Sequence, residues 1–357
     1  MKIKCRDLLK ILTFFIILFG LSPTIVAQNL KKNIVKSPDG TITLEVGTNQ
    51  GKVFYKVSKD KKSILNESYL GFELKGNSFK DNFSIKNISH SKFDETWQQT
   101  WGEEINVRNH YNEMKVSVKE NSKLTRELVI NFRVFDDGFG FRYEFPEQKN
   151  LKEFIIMDEL TEFNFADGHK TWSIPYNTAF YEGLYKSNPI SKLDTVATPL
   201  TMETKNGLFL TVHQANLTDY ASMNLARDKK STKLKAYLTP WATGEKVFTK
   251  VPSTTPWRTV IIAKSAGDLM LSRLMLNLNE PNKLGDVSWI KPGRYIGIWW
   301  AIHMEKYTWK AGPNHGAKTE NVLRYIDFAA KHNFSGVLVE GWNKGWEDWK
   351  DFQFSEP

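Results

Sequence analysis

The sequence predicts a large all-β sandwich followed by the opening β/α units of a barrel. Three observations predict it. Apolar residues alternate with polar ones in short segments from Ile42 to about Lys264. Clusters of turn residues punctuate those segments. From Tyr295 the order changes to strand, helix and strand, the pattern of a parallel βαβ unit. The 357 residues are 41% hydrophobic and 25% charged, enough to bury a large core and too apolar for general disorder.

The first 27 residues read as a leader. Lys2, Lys4, Arg6 and Lys10 make it basic, and Ile11 to Leu21 is an apolar run of eleven. That run falls short of the roughly 20 residues a spanning helix needs. Ile25-Val26-Ala27 then offers a cleavage point before Gln28, so the pattern predicts export with removal near Ala27. The competing reading is an uncleaved N-terminal anchor. Cys5, the single cysteine, lies in this leader, which excludes a disulfide framework, a cysteine-rich zinc site and a CxxC redox motif. Four basic residues against Asp7 give the leader a net charge of +3, so the total of +9 falls to about +6 without it. Basic and acidic residues alternate along the remainder, with no basic cluster of the kind that binds nucleic acid.

Beyond the leader, strands are expected at Thr41 to Val46, Lys52 to Val57, Leu70 to Leu74, Met114 to Val118, Leu128 to Arg133, Gly140 to Phe145, Leu208 to Val212 and Thr259 to Ala263. Pro38-Asp39-Gly40, Asp136-Asp137-Gly138 and Asn206-Gly207 supply turns. Many strands at short spacing over such a span predict a large two-sheet sandwich. Ala266 to Leu276 fits one helix. Tyr295 to Trp300 reads as a strand, Glu320 to His332 as a helix with Val322, Ile326 and Ala329 on one face, and Ser335 to Glu340 as a buried strand. An eight-fold barrel takes about 250 residues. Far fewer follow Trp289, so the barrel reads as truncated.

The motifs that carry common chemistries are missing. No GxSxG, Walker or GxGxxG sequence occurs, and the seven histidines show no HExxH spacing. Glu347 and Asp348 are adjacent, so their side chains diverge; they suit a solvated helix start better than paired acid–base work.

Several blocks together are distinctive. They are Phe93-Asp94-Glu95-Thr96-Trp97, Trp101-Gly102-Glu103-Glu104, Arg108 to Glu113 (RNHYNE), Asp136 to Pro146 (DDGFGFRYEFP), Thr255-Pro256-Trp257-Arg258-Thr259 and Leu276 to Pro281 (LNLNEP). Tyr295-Ile296-Gly297, Trp299-Trp300, Arg324 to Ala330 and Val337 to Asn343 (VLVEGWN) complete the set. In this order the chain resembles glycoside hydrolase family 97, and within it the starch-utilisation α-glucosidase branch. The resemblance implies a periplasmic, exo-acting, inverting and calcium-dependent α-glucosidase. It implies a β-super-sandwich over residues 28–285 and the start of a (β/α)8 TIM barrel over 286–357, with the catalytic acid and base expected beyond Pro357. It also implies an oligosaccharide or α-glucan substrate. The rival readings are an α-galactosidase of the same family and a carbohydrate-binding sandwich without catalysis.

The resemblance assigns roles residue by residue. Glu340, at the end of the second barrel strand, is expected near the substrate, where strand ends of barrels carry their sites. Glu182, by its spacing from Trp172-Ser173-Ile174-Pro175, matches a calcium ligand. A calcium ion wants six to eight oxygens, so one glutamate cannot make the site. Trp300 and Trp342 are expected to stack on sugar rings. Arg108 and His110 are expected to bond sugar hydroxyls from a loop of the sandwich. The competing readings are a capping carboxylate for Glu340, a solvated loop for Glu182, core packing for the tryptophans and a satisfied polar network for Arg108 and His110.

Overall fold

The computed structural model describes residues 33–178 and 182–342. These residues fall into two compact units, one of residues 33–99 and 106–281, the other of 100–105 and 282–342. The leader, Trp346, Glu347 and Asp348 lie outside the described residues.

The strands of the first unit pair antiparallel. Ten strands form its largest sheet, whose central path runs Phe209–Ala215, Trp257–Ala263, Gly138–Phe145, Glu127–Phe135, Asn106–Glu120 and Phe83–Gln98 at the edge. Three four-stranded sheets pack with it. One is the meander Ile34–Lys36, Ile42–Asn49, Lys52–Lys59 and Lys62–Tyr69; the other two contain Glu153–Glu159 and Leu234–Leu238. One continuous apolar core joins them, with Tyr55, Phe72, Phe132, Phe141, Phe163 and Leu225 fully buried.

The strand Gly138–Phe145 shows how the sequence builds this. Phe139, Phe141, Tyr143 and Phe145 point into the core at every second position, as a pleated strand requires. The intervening residues serve the opposite face of the sheet. There a second, smaller core gathers Tyr111, Phe135, Trp257, Leu274 and Leu278. Gly140 lies beneath Leu278, whose Cδ1 would sit 2.5 Å from an added Cβ. Gly138 has φ +154° and approaches the Val260 carbonyl more closely than any Cβ allows. The DDGFGF sequence is therefore a turn plus the space that lets the following helical segment lie against the sheet.

That segment departs from the single helix expected. It forms Ala266–Leu271, capped by Ser265 accepting from the Asp268 amide at 3.2 Å, and then Leu274–Asn277. The break at Ser272 and Arg273 reorients the chain, so Leu274 is buried while Met270 and Leu271 remain exposed. The LNLNEP residues fasten it down. Asn277 accepts from the Trp97 indole at 2.8 Å and donates to the Arg108 carbonyl at 2.9 Å. Asn279 accepts from the Asn216 amide at 2.9 Å.

A long hairpin, Phe83–Gln98 with Asn106–Glu120, went unmarked over most of its length in the sequence pattern. The segment that carries Arg108 and His110, expected as a loop, is part of the strand Asn106–Glu120. Arg108 and His110 consequently stand on a strand and not on a loop.

The second unit contains two parallel strands, Tyr295–Gly297 and Gly336–Leu338, joined through the helices Trp299–His303 and Thr319–Lys331. The first strand ends at Gly297. The expected strand residues Trp299 and Trp300 instead open a helix, because an apolar run of this length fits either state. On the longer helix Ala329 is buried as expected, but Ile326 is 45% exposed. Asn321 takes its place among the buried residues, donating to the Gly316 carbonyl at 2.9 Å.

Candidate functional site

The second unit collects the strand-end residues. Gly297 and Leu338 are register partners in the parallel pair, so Trp300 and Glu340, three and two residues further on, leave the same end of both strands. This is the C-terminal end, where parallel strands present ligand-binding groups. Glu340 is half-buried and Trp342 exposed, with Gly341 at φ +69° turning the chain between them against the Trp309 ring. Trp300 is 63% exposed. Its neighbour Trp299 stacks on His303 with centroids 4.6 Å apart and planes at 10°. The same strand end thus presents an exposed aromatic cluster and a carboxylate, residue types that suit the C–H face and the hydroxyls of a polyol ring.

The first unit holds the other candidates. Arg108 Nε and Nη2 each donate to Asp94 carboxylate oxygens at 2.8 Å. Arg108 thereby holds the exposed Asp94 carboxyl below its usual value. His110 is the register partner of Asp94, its Nε2 3.9 Å from the same carboxylate. The three residues form one polar patch on the hairpin. Glu182 is exposed and belongs to no strand or helix.

The described residues do not by themselves build a calcium site. Among them no group of three or more His, Cys, Asp or Glu side chains is placed to hold a metal ion. One exposed glutamate falls far short of six to eight oxygens.

Sequence reasoning missed a group at the centre of the sandwich. Glu159 and Arg258 are fully buried and paired through two bonds, 2.8 and 2.6 Å long. Thr161 and Tyr220 also donate to Glu159, at 2.7 and 3.0 Å, and Arg258 donates to Gln214 at 3.0 Å. Burial pushes the Glu159 carboxyl up, and Arg258 with these donors more than offsets it, leaving it below the usual range. Arg258 stood in a recognised block, but Glu159 lies 99 residues away and only its place in an apolar strand hinted at a partner.

His169 is 4% exposed, and neither ring nitrogen has a hydrogen-bond partner among the described residues. Burial lowers its pKa, against a smaller opposing effect of Asp167. Protonation therefore favours the unfolded chain. Stability is complete above the ordinary histidine value of about 6.5 and declines as pH falls below it. The acid-induced fall in the urea midpoint is expected to be smaller in His169→Phe than in the parent, measured between pH 7.5 and pH 5.

Comparison with known proteins defines the class. Residues 35–281 match the Glycosyl-hydrolase 97 N-terminal family and residues 299–357 match Glycoside hydrolase 97. The chain belongs to glycoside hydrolase family 97. A family 97 enzyme from Pseudoalteromonas sp. strain K8, solved in complex with acarbose, is 42% identical, with a TM-score of 0.84 over 91% of this chain and 50% of that one. The same enzyme has been solved as a variant in complex with panose. A retaining alpha-galactosidase of Bacteroides thetaiotaomicron is 24% identical over 94% of this chain and 53% of its own length. The chain thus spans about half the length of the relatives it matches.

Proposed function

We propose that the chain is the N-terminal part of an exported glycosidase that cleaves α-glucosidic bonds of oligosaccharides, inverting at the anomeric carbon. The observation that supports the α-glucosidic specificity is the 42% identity to the Pseudoalteromonas enzyme solved with acarbose and panose. Panose is a trisaccharide of α-linked glucose. In an inverting reaction one carboxylic acid protonates the leaving oxygen while a carboxylate activates water on the opposite face, the two about 6.5–9.5 Å apart. Both are proposed to lie in the part of the relatives' length that this chain does not span.

Within that reaction Glu340 accepts bonds from sugar hydroxyls and fixes the ring, and Trp300 and Trp342 stack on its C–H face. Arg108, with part of its fork held on Asp94, offers its remaining donors to hydroxyls beside His110. Glu182 would supply one carboxylate to a calcium ion, which would add positive charge beside the sugar. The leader would place the enzyme in the periplasm.

The 24% identical relative named as a retaining alpha-galactosidase favours a second reading, α-galactoside hydrolysis with retention. Hydrolysis of α-glucosides and α-galactosides by the whole enzyme, with the first-formed anomer followed by NMR, separates the two. Release of β-glucose supports the first; release of α-galactose with no action on glucosides overturns it in favour of the second. Glu340→Gln is expected to lower kcat/KM by about 100-fold, the cost of a misplaced substrate.

A further inference from the structure

The first unit carries an open groove of about 710 Å³, whose lining includes Leu217, Asp219, Tyr220, Trp241, Lys246 and Phe248. Its volume lies in the range of small-molecule sites. Trp241 is 63% exposed and Phe248 54%. Their rings meet edge to face, centroids 6.4 Å apart and planes at 71°, which leaves a ring face on each for a ligand.

The groove is preformed. Tyr220, in its floor, is anchored by donation to Glu159 at 3.0 Å, and Glu159 is itself locked by Arg258. Trp241 sits on a tight turn closed by two backbone bonds, from Trp241 to Glu245 and from Gly244 to Trp241. Lys75 ties that turn down through Glu245 at 2.8 Å. A site held this way spends little ordering entropy on binding.

The lining specifies the ligand's chemistry. Two exposed ring faces call for flat apolar surfaces. Ser222 and Thr239, whose hydroxyls are 2.8 Å apart, together with Asp219 and Lys246, call for hydroxyl groups. One acid against one base leaves the lining neutral, which suits an uncharged ligand and not a polyanion. A pyranose chain has this combination, C–H faces on the rings and hydroxyls at their rims.

We propose that this groove binds a stretch of α-linked gluco-oligosaccharide, with Trp241 and Phe248 as the stacking platforms. The proposal rests on the reading of the chain as part of an α-glucan-processing glycosidase. It adds to that reading a binding site within the sandwich, separate in sequence from Glu340, Trp300 and Trp342.

The test is titration calorimetry of the 357-residue chain with maltoheptaose, and with stachyose as the galactoside probe. Trp241→Ala and Phe248→Ala alter exposed side chains, so unchanged circular dichroism and unfolding midpoints certify their folds. The expected result is at least tenfold weaker maltoheptaose binding in Trp241→Ala, a smaller loss in Phe248→Ala, and little change in Trp289→Ala, which removes another exposed tryptophan. Binding that survives Trp241→Ala and is lost in Trp300→Ala overturns the groove and leaves the glycosidase reading standing. Trp241-dependent binding of stachyose but not maltoheptaose overturns the glucan assignment. A dimer of the parent chain that Phe248→Asp dissociates makes the groove a self-interface and also overturns it. Absence of any sugar binding does the same, while the hydrolysis assay on the whole enzyme judges the glycosidase reading independently.

Discussion

Arg258→Met is expected to cost about 3–5 kcal/mol of stability, because it leaves the Glu159 carboxylate buried and unpaired. Total stabilities of domains run to about 5–15 kcal/mol, so the loss consumes a large share. Chemical denaturation of the purified chain reads it directly. The neutral double variant Glu159→Gln with Arg258→Met is expected to recover at least half of the loss, since the amide oxygen still accepts from Thr161 and the NH2 group can donate to the Tyr220 hydroxyl, with no stranded charge. A double variant no more stable than Arg258→Met would show that the damage comes from lost packing around the guanidinium. The pH dependence has a definite sign. Glu159 titrates lower in the folded chain than the ordinary value of about 4.3. Its contribution is therefore present above that value and disappears as pH falls through the folded pKa. Acid should act in two stages, His169 first and Glu159 at lower pH.

Trp257→Ala is expected to rank with it, at about 3–5 kcal/mol. Trp257 is 1% exposed at the heart of the smaller core. The guanidinium carbons of Arg133 and Arg142 lie 4.8 and 4.7 Å from its ring, and Arg133 also lies 4.6 Å from Tyr111. Arg133 is paired to Glu113 at 3.0 Å, and Arg142 to Glu280 at 3.5 Å. Losing the indole removes packing from Leu274 and Leu278 and a cation–π contribution of about 0.5–1 kcal/mol or more for each arginine. Trp257→Phe keeps an aromatic face and should lose less than half as much. Equal losses in both variants would exclude both volume and the aromatic face as the cause and trace the effect to the fit of the indole itself.

The sequence revealed those strands whose two faces differ. Gly138–Phe145 was legible because its aromatic residues recur at every second position toward one core. Phe83–Gln98 was not, because it lies at the sheet edge and only Phe83 among its residues is buried, so no alternation is imposed. Trp300 moved from strand to helix because a short apolar run has no period to decide between them. The candidate residues Glu340, Trp300 and Glu182 came from block resemblance. Physical pattern alone would have supplied only an acid after an apolar strand. Glu159 with Arg258, and Trp241 with Phe248, are facts of tertiary placement. Neither the burial of the first pair nor the exposure of the second has a local signature.

The position of Trp257–Ala263 in its sheet has a consequence for synthesis. The strand is the last of the sandwich to leave the ribosome, yet it lies between Phe209–Ala215 and Gly138–Phe145. Until it emerges, each of those neighbours carries a bare edge, and the hairpin half of the sheet has no bond to the other half along the central path. Asn277 must then appear before the Trp97 indole gains its partner, 180 residues downstream. Vectorial folding cannot finish this domain piece by piece. A nascent chain halted before residue 257 holds two sticky edges, the kind of intermediate that recruits chaperones or pairs with its neighbours on a crowded polysome.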